Sequence, residues 1–374
     1  MKVMTIVGTR PEIIRLARVI ARMETTQGIE HVLVHTGQNY DRLLNQVFFD
    51  DLRLRAPDHY LDVDTSSLGS TLGGVLVEAE KVLLAERPDA VLVLGDTNSC
   101  IATLMAKRMH VPTYHMEAGN RSYDENVPEE TNRRMVDHVA DFNLAYTEHA
   151  RRNLLAEGLH PRRVIVTGSP MREVLDHYRD DIAGSDVLKR LGLDPGGYFL
   201  VSAHRQENVD APGRLRDLLA CLVQVHETWS LPVIVSTHPR TRKRIEALGE
   251  TVEGDVRWLE PFGFHDYNRL QSRAACVLSD SGTISEESAV LGFPAVTLRD
   301  SIERPEALDT GSIMMTGLDS DDVVRAVCMA MTDRGSGSMP SGYEVDDTSR
   351  RVVRFISSTA SRHHRWAGIH EERS

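Results

Sequence analysis

The stretch Cys276–Leu308, CVLSDSGTISEESAVLGFPAVTLRDSIERPEAL, indicates the fold more directly than any other part of the chain. A short apolar run ends abruptly in Asp280-Ser281-Gly282-Thr283, a helical pattern with paired glutamates follows, and a second apolar run leads to Glu303-Arg304-Pro305-Glu306. A strand, a helix and a second strand in this order are typical of a parallel sheet covered by helices on both faces.

The same alternation extends outward from this stretch in both directions. VMTIV, HVLVH and DAVLVLG each precede an amphipathic stretch, and after the polar segment RDDIAGSDVLKRLGLDPGG the pattern restarts with YFLVSAH and LPVIVSTH. We therefore predict an α/β protein with two doubly wound Rossmann-like domains, residues 1–170 and 171–345. Residues 346–374 are expected to form a helix from about Asp347 to Ser358, which could pack back on the N-terminal domain, and a polar tail.

Size and charge narrow the classes of function. The 374 residues include 43 basic and 55 acidic side chains, a formal net charge of −12, which argues against a nucleic-acid partner. No apolar run approaches the ~20 residues of a membrane span, and the start MKVMTIVGTR lacks the layout of a signal peptide. The four cysteines are scattered without a CxxC pair, so we expect reduced thiols in a cytoplasmic protein.

Ligands of open parallel sheets bind where loops leave the carboxyl ends of the strands, and with two domains we expect these ends to face each other across a cleft. In the first half, Arg10 follows a glycine turn at a helix start and is a candidate anion contact. Asp96 and Glu117 directly follow apolar strands, and Glu129 opens a helix after Pro128. Asp96 could also be a helix cap, and Glu129 could also be an ordinary first-turn glutamate.

In the second half, His204 and Arg205 end one strand, and Ser281, Gly282 and Thr283 end another at the start of a helix. Hydroxyls and backbone N–H groups at a helix N-terminus suit phosphate. Two charged side chains are expected close to this helix start, Glu287 as an acceptor for ribose hydroxyls and Arg304 as a cation. This half of the chain is therefore predicted to hold a nucleoside diphosphate.

Ten motifs in this order together resemble the non-hydrolysing UDP-N-acetylglucosamine 2-epimerases, a family with a glycosyltransferase-B-like fold. They are GTRPE, HTGQNYD, GDTNS, HMEAGNR, VPEETNRR, SAHRQEN, STHPRTRKR, SDSGTISEES, ERPEA and YEVDDTSRRVV. The resemblance implies reversible inversion at C2 of a UDP-2-acetamido sugar by elimination and re-addition of UDP. It also implies a homodimer and no metal, nicotinamide or flavin cofactor.

Site roles follow from the resemblance motif by motif. Asp96, Glu117 and Glu129 match the family's carboxylates and His204 its essential histidine, with the division into base and acid left open. The positions that match UDP-sugar binding are Arg10, Arg15, His204, Arg205, Ser281, Gly282, Thr283, Glu287 and Arg304. Arg15 stands where the family commonly has lysine, and the positive charge is kept.

Two further alternatives concern the substrate and the class of protein. The stretch TGQNYDRLLNQVFFDDL departs from the pattern linked to allosteric activation by a second UDP-sugar, and it resembles the subgroup that acts on UDP-2-acetamido-2,6-dideoxy-L-hexoses. That subgroup would convert the L-talose into the L-fucose configuration. A UDP-sugar glycosyltransferase or a non-catalytic UDP-sugar binder would also need the nucleotide pocket, but neither requires three carboxylates beside a diphosphate.

Overall fold

The computed structural model describes residues 1–37, 42–249, 252–334 and 337–369, without the side chains of 42–46. Gln38, Asn39, Tyr40 and Asp41 of the HTGQNYD motif therefore lie outside the described residues. The chain divides into two units. Unit 1 comprises Met1–Arg121, Val127–Asp176 and Gly342–Ser374, and unit 2 comprises Ser122–Asn126 and His177–Ser341.

The described part of unit 1 is built on a parallel sheet with the strand order β3-β2-β1-β4-β5-β6-β7. Its strands are β1 (Lys2–Val7), β2 (Glu30–His35), β3 (His59–Tyr60), β4 (Ala90–Leu94), β5 (Thr113–Met116), β6 (Phe142–Ala145) and β7 (Val164–Val166). β1 is an inner strand, in which Val3 pairs with His31 on one side and with Ala90 on the other. Because both faces of the sheet are covered, β4 is buried along its whole length.

The helices of unit 1 alternate with these strands. They are α1 (Arg10–Thr25), α2 (Arg42–Asp51), α3 (Leu68–Glu86), α4 (Ala102–Arg108), α5 (Pro128–Val139), α6 (Glu148–Ala156) and α7 (Met171–His177). The sequence explains where α1 begins, because Thr9 and Glu12 form a capping box and Pro11 occupies the first turn. Ile13, Leu16 and Ile20 of α1 recur at helical spacing and are buried.

Unit 2 contains a second parallel sheet, with the order β10-β9-β8-β11-β12-β13 among the described residues. Its strands are β8 (Phe199–Ser202), β9 (Val233–Ser236), β10 (Val256–Leu259), β11 (Cys276–Ser279), β12 (Ala295–Thr297) and β13 (Met314–Met315). Its helices are α8 (Arg179–Gly184), α9 (Val187–Leu191), α10 (Gln206–Val209), α11 (Pro212–Trp229), α12 (Pro239–Leu248), α13 (Phe264–Arg273), α14 (Ile284–Leu291), α15 (Pro305–Asp309) and α16 (Ser320–Thr332). Successive side chains of β8 enter opposite cores, Phe199 and Val201 on one face and Leu200 on the other.

The chain ends in two helices that belong to unit 1, α17 (Thr348–Thr359) and α18 (His363–Ala367). α17 packs on α1, and the Nε of Arg22 donates a hydrogen bond to Ser349 Oγ at 2.7 Å. The other end of α17 contacts β5, because the hydroxyls of Tyr114 and Thr359 lie 2.7 Å apart. The last helices of the chain thus complete the first unit rather than the second.

Both sheets have the doubly wound topology that the sequence predicts, and the α/β fold class is confirmed. In unit 1 the strand order reverses between β1 and β4, and in unit 2 it reverses between β8 and β11. Loops that leave the carboxyl ends of strands on either side of such a reversal diverge and leave room for a ligand. The loops after these four strands carry predicted site residues, among them Arg10, Asp96, His204 and Ser281.

The four cysteines differ in exposure. Cys100, Cys221 and Cys276 are buried, Cys328 is exposed, and none of them forms a disulfide. Burial raises the pKa of Cys221 and of Cys276 to about 12. Within the described ranges, no helix combines the length and apolar character needed to cross a bilayer.

Candidate active site

The loop after β1 and the loop after β4 are joined through the buried carboxylate of Glu12. Glu12 Oε2 accepts hydrogen bonds from the backbone N–H groups of Gly8 at 2.9 Å and Thr9 at 2.7 Å. Its Oε1 accepts from the hydroxyls of Thr97, at 3.0 Å, and Ser99. Burial raises the pKa of Glu12, and these hydrogen bonds offset part of that effect.

Arg10 lies on the same loop as the first residue of α1, as the sequence predicts. Its guanidinium carbon is 5.5 Å from the centre of the Phe48 ring, which is a cation–π distance. Burial lowers the pKa of Arg10 from its ordinary value. The side chain is therefore partly withdrawn from water at the start of a helix, where an anion is favoured.

Asp96 and Glu117 follow β4 and β5, which are adjacent strands of the sheet. Gly95 turns the chain with a φ of 80°, and Glu117 itself has a φ of 62°. A left-handed backbone at a glutamate is uncommon and costs on the order of 1 kcal/mol or more, so the surroundings must hold it. Glu117 is only 3% exposed, which makes it a buried carboxylate on strained backbone.

Two arginines neutralise these carboxylates. The side chain of Arg133 is 1% exposed, and its Nη2 bonds to the Asp96 carboxylate and lies 3.1 Å from Glu117 Oε1. Its Nη1 donates to the backbone carbonyl of Glu117. Arg15, from α1, forms an ion pair with the other carboxylate oxygen of Glu117. The structure thus places Arg15 beside a predicted catalytic residue.

Helix α5 supplies one face of this site. Glu129, Arg133 and Asp137 are spaced four residues apart, so they lie on one side of the helix. Glu129 is half-buried, one turn before the arginine that binds both other carboxylates. Asn132 adds a further link, because its Nδ2 donates to the backbone carbonyl of Asp96 at 3.0 Å. The arrangement brings Asp96 and Glu117 onto Arg133, and Glu129 lies one turn before it on the same helix.

Asp137 of α5 and His115 of β5 form a buried pair that contacts the loop after β4 and the loop after β5. His115 Nδ1 lies 2.9 Å from Asp137 Oδ1, and its Nε2 donates to the Gly95 carbonyl at 2.6 Å. Asp137 also accepts from Arg121 Nη1 at 2.7 Å and from the Gly119 N–H at 3.2 Å. Burial acts to raise the pKa of Asp137, but the hydrogen bond and charge of His115 and the arginine charges outweigh it and lower that pKa.

In unit 2, the buried carboxylate of Asp280 fixes the loop after β8. It accepts hydrogen bonds from the backbone N–H of His204 at 3.0 Å and of Arg205 at 2.9 Å. Asn208 Nδ2 donates to it at 3.2 Å, and His204 Nδ1 lies 3.5 Å away. The His204 side chain is 39% exposed, and the centre of its ring lies 5.7 Å from that of His238.

The turn after β11 converges with two predicted arginines. A Cβ on Gly282 would lie 2.5 Å from Arg304 Nη1 and 3.8 Å from Arg205 Nη2, so only glycine leaves the guanidinium of Arg304 in place. The hydroxyls of Ser281 and Thr283 lie 2.9 Å apart at the start of α14. Hydroxyls, two guanidinium groups and a helix N-terminus together form a site suited to phosphate groups.

Two glutamates of α14 face different partners. Glu287 is mostly buried and accepts a hydrogen bond from Gln271 Nε2 at 2.6 Å. Glu286 is fully buried and lies 3.2 Å from Arg304 Nε, which fixes the orientation of that arginine. Across the part of the chain that the structure describes, no group of three or more metal-ligating side chains is present.

Four residues that organise these loops were not predicted from the sequence. Glu12, Arg133, Asp137 and Asp280 are buried charged groups that contact predicted site residues. A signal existed for three of them, since Glu12, Arg133 and Asp280 fall within the motifs GTRPE, VPEETNRR and SDSGTISEES. Their partners could not be inferred because the contacts join residues distant in sequence.

Comparison with known proteins identifies what the chain is similar to. Residues 21–357 match the sequence model of a family described as UDP-N-acetylglucosamine 2-epimerase. A UDP-2,3-diacetamido-2,3-dideoxy-D-glucuronate 2-epimerase from Pseudomonas aeruginosa is 34% identical, over 96% of this chain and 99% of that relative.

Two solved structures agree with this match. A UDP-N-acetylglucosamine 2-epimerase from Rickettsia bellii has a TM-score of 0.90 and 42% identity and covers 98% of each chain. The Methanocaldococcus jannaschii UDP-GlcNAc 2-epimerase, solved in complex with UDP-GlcNAc and UDP, has a TM-score of 0.90 and 33% identity. It covers 96% of this chain and all of that one.

Proposed function

Because this chain belongs to the UDP-N-acetylglucosamine 2-epimerase family, we propose that it interconverts UDP-N-acetylglucosamine and UDP-N-acetylmannosamine without hydrolysing them. The single observation that carries the proposal is the group of Asp96 and Glu117, held by Arg133 at the carboxyl ends of β4 and β5, with Glu129 one turn before Arg133 at the start of α5. Inversion of a C–H centre needs proton-transfer groups on both faces of the carbon, and this group supplies more than one carboxylate.

The chemistry begins with a C2 proton that is not acidic. As the bond between C1 and the UDP oxygen breaks, positive charge develops at C1 and one carboxylate accepts the C2 proton. The products of this half-reaction are a 2-acetamidoglycal and UDP. A protonated side chain then returns a proton to the opposite face of C2, and the UDP oxygen re-forms its bond to C1. Which of Asp96, Glu117 and Glu129 acts on which face is left open.

Unit 2 is proposed to hold the UDP portion. Arg205 and Arg304, with the turn at Ser281–Thr283, would bind the diphosphate, where charge develops as the anomeric bond breaks. His204 is proposed to assist there, since Asp280 orients its imidazole. Glu287 would accept a ribose hydroxyl, and Gln271 already holds its carboxylate in place.

In unit 1, Arg10 is proposed to contact the leaving diphosphate. We also expected Arg15 to bind the substrate because of the family resemblance. Its ion pair with Glu117 supports a narrower role, in which it holds the Glu117 carboxylate in a fixed position beside the sugar.

The second candidate substrate is UDP-2-acetamido-2,6-dideoxy-L-talose, which the same reaction would convert to UDP-N-acetyl-L-fucosamine. The stretch TGQNYDRLLNQVFFDDL favours it. The Pseudomonas aeruginosa relative is named for a third UDP-sugar, so members of this similarity range differ in the sugar on which they act.

The test is NMR of the purified protein with each nucleotide sugar in D2O. Reversible proton transfer should place deuterium at C2 of both epimers, with no free sugar and no acceptor requirement. Running UDP-N-acetylglucosamine and the 6-deoxy-L substrate side by side ranks them by rate. Unlabelled sugar from every UDP-HexNAc tried would contradict the proposal, and a binder or a glycosyltransferase would give that result.

We also propose that the enzyme is a homodimer that uses the outer face of α3. Val77 and Leu84, seven residues apart on this helix, are 52% and 59% exposed. Gly73 lies on the same face, where a Cβ would meet nothing within 4 Å, so packing inside the unit does not require glycine there. An exposed apolar face that permits close approach suits a second copy of the chain.

A cytoplasmic location is proposed on narrower grounds. The three buried cysteines are unpaired thiols, as expected in a reducing compartment.

A further inference from the structure

Arg133 contacts two of the proposed catalytic carboxylates, and the proposed reaction assigns it no role of its own. One guanidinium bonds to the Asp96 carboxylate, to the Glu117 carbonyl and to the Glu117 carboxylate. A planar guanidinium with several fixed donors can make these bonds together, whereas a lysine ammonium acts as a single point charge. Arg133 therefore links the loop after β4 to the loop after β5.

The link constrains groups that would otherwise separate. Two carboxylates that approach in a buried site repel each other, and a cation between them removes that repulsion. Glu117 also has a left-handed backbone with a φ of 62°, and the bond from Arg133 Nη1 to its carbonyl fixes that conformation. Removing the guanidinium would leave the ion pair of Glu117 with Arg15 and would break the link that sets the distance of Glu117 from Asp96.

We propose that Arg133 is a positioning residue for the epimerisation, which sets the Asp96 and Glu117 carboxylates in one fixed geometry. The inference rests on the proposed function, since it assigns a role within that reaction. A displacement of about 1 Å at a reacting group lowers a rate by about 100-fold, so a positioning role predicts a large effect on kcat. UDP affinity should change little, because most of the predicted nucleotide-binding residues belong to unit 2 and Arg133 is not among them.

The neighbouring Arg134 offers a matched control. It lies on the same helix, its side chain is 47% exposed, and it pairs with Glu130 one turn earlier. Arg134→Ala removes the same charge and the same number of atoms from a solvent-facing position. Its kcat should stay close to that of the wild type.

The experiment measures kcat, KM, the Kd for UDP and thermal unfolding for Arg133→Ala, Arg133→Lys and Arg134→Ala. We expect Arg133→Ala to lose about 100-fold in kcat with little change in KM or in UDP affinity. Methylguanidinium at millimolar concentration should restore part of the activity to Arg133→Ala and none to the wild type. The kcat of Arg133→Lys should lie between those of the wild type and Arg133→Ala, because lysine keeps the charge but cannot make all three bonds.

A folded Arg133→Ala variant with near-normal kcat, or one that loses kcat and UDP affinity in parallel without rescue, overturns the inference. If Arg133→Ala does not fold, Arg133→Lys decides, and a wild-type kcat there is the overturning result. If the wild-type protein exchanges no C2 proton, both the proposed function and this inference are wrong. If the wild type and Arg133→Ala exchange the C2 proton equally fast, only the inference is wrong.

Discussion

At the scale of single residues, Glu117 combines three costly features, namely burial, a charged carboxylate and a left-handed backbone. Each of these would be selected against in a purely structural glutamate, since burial disfavours charge and the backbone conformation is strained. Arg15 and Arg133 pair with its two oxygens, which fixes the direction of the carboxylate. A general base must be held in a fixed position relative to the proton that it accepts, and these contacts hold the carboxylate.

Glu117→Gln tests this interpretation, because glutamine keeps the shape of the side chain and removes its basicity. We expect UDP to bind as in the wild type and deuterium exchange at C2 to fall by about 10² to 10⁴-fold. Calorimetry with UDP and NMR in D2O measure the two quantities. Glu148→Gln, at a side chain that is 54% exposed, is the matched control. Near-normal turnover of Glu117→Gln would remove Glu117 from the mechanism.

The carboxylates could be proposed from sequence because Asp96 and Glu117 each follow an apolar run, and a parallel sheet gathers such positions at one edge. Their partners could not be proposed in the same way. Arg15 comes from α1 and Arg133 from α5, and Arg133 also bonds to the carbonyl of Glu117, whose φ is 62°. Contacts between distant segments and backbone strain have no local pattern in the sequence.

At the scale of elements, α5 places Glu129, Arg133 and Asp137 on one side and acts as the scaffold of the carboxylate group. Asp137 contributes through a set of buried contacts to β5 and to the loop at Gly119 and Arg121. Breaking such a buried pair by removing one partner leaves uncompensated charge and costs about 3–5 kcal/mol.

Asp137→Asn should therefore lower the free energy of unfolding by about 3–5 kcal/mol at pH 7. The pKa of Asp137 is lowered in the folded state, so its contribution is present above the ordinary carboxyl pKa and is lost as pH falls through the lower folded pKa. Urea unfolding across pH should show the difference from wild type narrowing only below about pH 4. The exposed Asp50→Asn is the control, and a difference independent of pH down to pH 2 would contradict the assignment.

The turn before α14 carries a second prediction. Gly282→Ala adds a methyl group 2.5 Å from Arg304 Nη1 without a left-handed backbone penalty, so the guanidinium must move. Loss of one charge-assisted hydrogen bond to phosphate, about 1.5 kcal/mol, predicts UDP binding weaker by about tenfold with little change in stability. Gly213→Ala, where the added methyl meets nothing within 4 Å, is the control. Equal UDP affinity in both variants would exclude the turn from the nucleotide site.

At the scale of the whole molecule, the regular alternation of apolar runs and amphipathic stretches was sufficient to predict two doubly wound sheets, which the structure confirms. The order of strands within each sheet was not predicted. The grouping of Ser122–Asn126 with unit 2 was not predicted either, because a five-residue loop carries no periodicity that assigns it to one half.

The homodimer proposed above can be tested through α3. Val77→Lys places a charge on the exposed apolar face, and we expect the molar mass from light scattering to fall from that of a dimer to that of a monomer. Met329→Lys is a matched control, because Met329 is 50% exposed on α16 in the other unit and should leave the mass unchanged. A dimer that persists in Val77→Lys at low micromolar concentration would place the interface elsewhere.

The uneven exposure of the thiols has a practical consequence. Three of the four cysteines are enclosed in apolar surroundings, and thiols with a pKa of about 12, as in Cys221 and Cys276, hold almost no nucleophilic thiolate at neutral pH. Cys328 on α16 is the exposed one, so a maleimide dye should attach there selectively. The natural chain thus carries its own single-position handle for fluorescence, with no engineered cysteine required.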